Sequence, residues 1–127
     1  MAIIETAIIL PILLLITLGV IHFAWLFLKA HQITSVARHG ARLAALEGAN
    51  EGNVETEIRT LLSNAGIKVV KLVEFLPGSV DGHDSVTVRI TVEGSKVALL
   101  NFNNSILFPL LTPANLVGAV TMVKEGS

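Results

Sequence analysis

Hydrophobic and polar positions divide the chain into two regimes. Residues 6 to 28 hold no Asp, Glu, Lys or Arg, and His22 is their only titratable side chain. At the helical rise this run is about 34 Å long, against about 30 Å for a bilayer core. The segment is therefore long enough to span a membrane. Beyond Lys29 the pattern stays helical but becomes two-faced. Polar His31, Ser35, Arg38, His39 and Arg42 alternate with Ala30, Ile33, Ala37, Gly40, Ala41 and Ala44 at spacings of three and four. Gly48 and the polar residues after it end the helix. One helix from 2 to 47 would be about 70 Å long, more than the width of a domain of this size. Part of it must leave its own domain and find apolar company elsewhere.

A second, shorter helix follows, capped by Asn53, with Val54, Ile58, Leu61, Leu62 and Ala65 on one face and Gly66 closing it. The period then changes to two. Ile67 to Phe75 is β-branched and reads as a strand, and Pro77-Gly78 and Asp81-Gly82 mark a loop. Ser85 to Glu93 alternates strictly, with Val86, Val88, Ile90 and Val92 inward and Thr87, Arg89 and Thr91 outward. Lys96 to Leu100 reads as a further strand, Asn101 to Pro113 as an apolar, broken connection, and Leu116 to Lys124 as the last strand. The expected fold is α+β: a long N-terminal helix whose second half packs on a small antiparallel sheet, with a short second helix. The expected division is 1–28, an apolar membrane or filament-core helix, and 29–127, its amphipathic continuation plus a small head.

Composition narrows the function. The chain has 127 residues, 52% of them hydrophobic, with mean hydropathy +0.71 and a net charge of −1. No basic face or stripe of the extent that nucleic acid requires is present, so no nucleic-acid partner is expected. Cysteine is absent, which removes disulfides and thiolate metal sites. No paired carboxylates, nucleophile with its base, or phosphate loop stands out, and neither an enzyme nor a cofactor is expected. Asp81, His83 and Asp84 share one loop, where a polar turn is preferred over a weak cation site. No metal site is expected. Asn103-Asn104-Ser105 forms a glycosylation triplet of a kind frequent by chance.

Glu5 is the notable charge, a lone carboxylate directly before the apolar run. It either stays in headgroup water or enters an apolar interior, where an unpaired acid costs at least ~2.5 kcal/mol. The N-terminal amine of Met1, of the same chain or of an adjacent copy, is the nearest cation. An intermolecular pair would fix the axial register between copies. Pro11 removes a helix hydrogen bond and introduces a kink, and Gly19 is a weak point or a place of close helix approach. Ala37, Gly40, Ala41 and Ala44 permit close packing, and Phe23, Trp25 and Phe27 read as an interfacial aromatic belt. No basic residue precedes the run, unlike a signal peptide. Met1 is then either the start of an unusual anchor or the residue left after a basic leader is removed.

These residues resemble a known family. Glu5 followed by an apolar run resembles the start of mature type IV pilins. Glu5-Thr6-Ala7-Ile8-Ile9-Leu10-Pro11 is similar to the E-F-A-L-V-L-P signature of TadE/TadG-like pilins of tight-adherence systems. Leu18-Gly19 and Phe23 fit the same pattern, Val36 to Ala45 resembles its A-A-R-E-G-A-R-x-A-A segment, and Thr121 to Glu125 resembles its closing strand. Thr6 replaces an aromatic residue, and His22 and Trp25 stand where Glu and Arg are usual. The resemblance implies a precursor in the inner membrane, cleaved by a prepilin peptidase to leave Met1 first. It further implies a homo-oligomer built by pilus assembly machinery, an extracellular filament for surface attachment. A minor priming or tip subunit, or a single-pass anchored binding domain that never polymerises, are the alternatives.

Overall fold

A computed structural model describes residues 2–99 and 113–125. Its element order is α1 (Ala2–Ala45), α2 (Glu51–Asn64), β1 (Val70–Val80), β2 (His83–Glu93), α3 (Gly94–Val97) and β3 (Asn115–Val123). The fold is α+β: a long helix, a short second helix and a three-stranded antiparallel sheet in the order β1-β2-β3.

α1 is continuous through Pro11. Its two halves have opposite environments. Leu15 is 68% exposed, whereas Ile33, Ala37 and Ala41 are fully buried. The buried stripe continues the spacing of three and four back through Lys29, Leu26 and His22. The head therefore grips the helix about two turns earlier than the change in polarity suggests. α1 packs against β2, β3 and α2. The core combines its small residues with Val54, Ile58 and Leu62 of α2 and Val86, Val88, Ile90 and Val92 of β2. Two glycines set the spacing. A Cβ on Gly40 would lie 2.5 Å from Ile58 Cδ1, and one on Gly118 of β3 would lie 2.9 Å from Ile33 Cγ2 and 3.1 Å from the Thr34 backbone nitrogen.

α2 begins at Glu51 and its cap is Asn50, not Asn53. Asn50 has extended backbone, and its side-chain oxygen accepts from the Gly52 N–H at 2.9 Å. The Asn53 N–H donates to the Asn50 carbonyl, inside the first turn. The far end is a Schellman motif, as Gly66 leads one to expect. Gly66 has φ +75, its N–H donates to the Ser63 carbonyl, and the Ile67 N–H donates to the Leu62 carbonyl at 2.8 Å.

β1 runs through Pro77-Gly78, where a loop was expected, because the reversal needs only Asp81-Gly82. Both take positive φ (52 and 83), and Val80 pairs with His83. Pro77 is tolerated because β1 is an edge strand. β1 starts at Val70, three residues later than expected, with a register shift between Val70 and Leu72. The expected strand at Lys96 to Leu100 is instead the single turn α3. The Gly94 N–H donates to the Ala114 carbonyl, and a Cβ on Gly94 would collide with the Pro113 carbonyl. That close approach holds the start of β3 against the end of β2. β3 is tied down beyond its end, where the Glu125 N–H reaches the Ala45 carbonyl at 2.9 Å. Asn103 and the apolar stretch from Ile106 to Leu111 lie outside the described residues.

Candidate assembly surface

The exposed half of α1 carries the residues singled out from the sequence. The helix is long and apolar enough to cross a membrane. From Ile3 to Ile21 its large side chains are half to mostly exposed, because the head does not reach them. Glu5 lies in the first turn and is exposed, where the helix dipole favours a negative charge. Met1, the expected source of its partner amine, lies outside the described residues.

Pro11 deprives the Ala7 carbonyl of a donor. Thr17 returns its hydroxyl to the Leu13 carbonyl at 2.8 Å, so this side chain is satisfied within the helix and adds no polar demand on the apolar surface. A Cβ on Gly19 would meet nothing within 4 Å. The fold of the single chain does not need glycine there, in contrast to Gly40. Gly19 instead floors a shallow apolar groove lined by Ile16, Val20, Phe23, Ala24 and Phe27. A smaller one, lined by Ile3, Thr6, Ala7 and Leu10, lies near the N-terminus.

The three aromatic residues separate. Phe23 and Phe27 are 70% and 63% exposed, with the Phe27 ring 4.7 Å from His31. Trp25 faces the head. Its indole N–H donates to the Val97 carbonyl at 2.9 Å, and the Lys29 ammonium sits 4.9 Å from its ring centroid. Lys29 is 7% exposed and donates to the Ala65 carbonyl at 2.7 Å. A cation thus closes the negative end of α2 while an aromatic face covers it. Sequence reasoning missed this latch, although His22, Leu26, Lys29 and Ile33 share one helical face and hint at it.

Asp81 occupies the hairpin turn, and His83 and Asp84 open β2 opposite Val80 and Ser79. Among the described residues no group of three His, Cys, Asp or Glu is placed to hold a metal ion.

Residues 1–42 match the family model described as TadE-like protein. The match covers the exposed half of α1, the latch residues and the start of the helix–sheet contact. Neither the curated proteins nor the solved structures compared with the chain give a match. The matched residues include Glu5 to Pro11 and most of Val36 to Ala45, which carry the resemblance read from the sequence.

Proposed function

We propose that this chain is a structural pilin subunit that polymerises through the apolar half of α1 into an extracellular type IV-like filament for surface attachment. The observation that carries the reading is a 44-residue helix whose distal half buries one face and whose proximal half is apolar and exposed, matched to the TadE-like model as far as residue 42. Apolar area removed from water contributes about 25 cal/mol per Å². Before assembly that area is covered by lipid of the inner membrane. In the filament it is covered by the same area of other copies. The head coats the outside and performs no chemistry.

Glu5 sets the register in this reading. In a core of packed helices its carboxylate meets the amine of Met1 on an adjacent copy. Any other axial offset strands a charge in hydrocarbon. A prepilin peptidase exposes that amine, and pilus assembly machinery moves the subunit from membrane to fibre.

The test is Glu5→Ala, with fibres imaged in native material and the head followed by circular dichroism. Loss of fibres with an intact head is the expected result. Normal fibres from this variant would remove the register role. An absence of fibres from the unaltered chain would favour the anchored-domain alternative. Sparse labelling at fibre ends would favour the priming or tip subunit.

A further inference from the structure

The distal half of α1 has a second exposed face, unlike the apolar one. His31, Ser35, Arg38 and Arg42 follow one another at spacings of four, three and four, and all are exposed. The ion pairs among the described residues join Arg59 to Glu55 and Arg89 to Glu74, so Arg38 and Arg42 take part in neither. On the adjoining side, the end of α1 and the start of α2 enclose an open cleft. Leu43, Leu46 and Val54 line its apolar part, with the exposed Glu47 and Glu57 beside them. Neither of these carboxylates is in an ion pair among the described residues.

We propose that the Arg38–Arg42 face of one copy docks on the Glu47–Glu57 cleft of the next. This rests on the filament reading and adds to it a polar contact that orients the heads. Three observations select a second copy as the occupant. The two surfaces are opposite in charge and present in equal number on every copy. They adjoin at the end of α1 but share no residue, so copies docked head to tail make a heterologous contact, the kind that propagates as an open helix when the rotation does not close. The basic face also continues the axis of the apolar shaft, so helices that pack along that shaft carry their arginines to a neighbour. A lipid surface fits less well. The face extends about 16 Å along the helix from His31 to Arg42, and a headgroup layer would meet only its first turn. Interfacial charges act chiefly on orientation and on rejecting wrong partners, which is the role assigned here.

The chain has no cysteine, so single cysteines can be introduced cleanly. Differently tagged Arg42→Cys and Glu57→Cys chains are co-expressed and oxidised, both in membranes and in fibres. The mixed disulfide should exceed either like-with-like product by about tenfold. In parallel, R38E/R42E and E47K/E57K should each lower fibre yield by about tenfold or more, and the fourfold charge exchange should restore it. Circular dichroism confirms that each variant is folded. The contact is overturned if mixed disulfides are not preferred, if either double variant assembles normally, or if the exchange fails to restore fibres from folded protein. Fibres with no mixed disulfide would remove the contact and leave the filament reading standing. Mixed disulfides in membranes without fibres would do the reverse.

Discussion

Lys29 is the residue whose role changes most between sequence and structure. At the end of a charge-free run it looks like a membrane flank. In the fold its ammonium is buried, donates to the Ala65 carbonyl at 2.7 Å and lies 4.9 Å from the Trp25 ring centroid. Replacing it with Met keeps the apolar stem but leaves the end of α2 without its donor. The expected loss is about 1–3 kcal/mol of head stability. Trp25→Phe removes the hydrogen bond to the Val97 carbonyl and should cost about 1 kcal/mol. Because the two side chains touch, the double variant should lose less than the sum. Urea midpoints in detergent measure all three. Simple additivity would show that Trp25 and Lys29 act separately. Trp25 is the single tryptophan, so its emission reports directly on the replacement of Lys29. Positions such as Val86, Val88, Ile90 and Val92 were readable beforehand because a period of two is local information. The latch was not. Its partners lie 36 and 72 residues away, and no short pattern marks that Lys29 will meet a helix end or Trp25 a carbonyl.

At the scale of elements, patterning gave the right inventory of long pieces and misplaced their ends. The long helix and the strictly alternating strand were legible. The extension of β1 through Pro77 was not, because it depends on a two-residue turn and on β1 being an edge, and the second is a property of the sheet. Gly118 could have been flagged, since an isolated glycine within a strand often marks close backbone approach. Here it faces Ile33 and the Thr34 backbone of α1. Gly118→Ala should therefore cost about 1–3 kcal/mol, as overpacking generally does, because helix backbone cannot yield locally. Gly40→Ala differs in kind, since its new methyl would press on the flexible end of Ile58. Ile58→Val removes Cδ1, and alone it should cost about 0.5–1.5 kcal/mol. In the Gly40→Ala background the same change should cost less, because the contact with Cδ1 goes while that with Cγ1, at 2.8 Å, remains. Thermal unfolding followed by circular dichroism decides this. An Ile58→Val penalty of equal size in both backgrounds would mean that α1 and α2 move apart instead of repacking.

The whole molecule is a small head holding one end of a shaft too apolar for water, and the boundary between them is physical rather than compositional. Polarity changes at Lys29, whereas burial against the head begins at His22. That difference predicts how truncations behave. A chain beginning at residue 20 keeps Leu26, the Trp25 hydrogen bond and the Lys29 latch. It should be monodisperse without detergent, because the surface that requires lipid or other copies is mostly gone. A chain beginning at residue 30 loses all three contacts and uncovers the end of α2. It should be less stable than the longer one by about 3 kcal/mol or more, since a buried leucine alone contributes about 2–5 kcal/mol. Analytical ultracentrifugation and urea unfolding of the two chains test both statements. Equal stabilities would show that the grip begins at the change in polarity. Association of the longer chain would show that contacts on the head hold copies together without the apolar shaft. If the intact chain behaves as a monomer without detergent, the exposed half of α1 does not drive association, and neither membrane insertion nor a filament core follows from it.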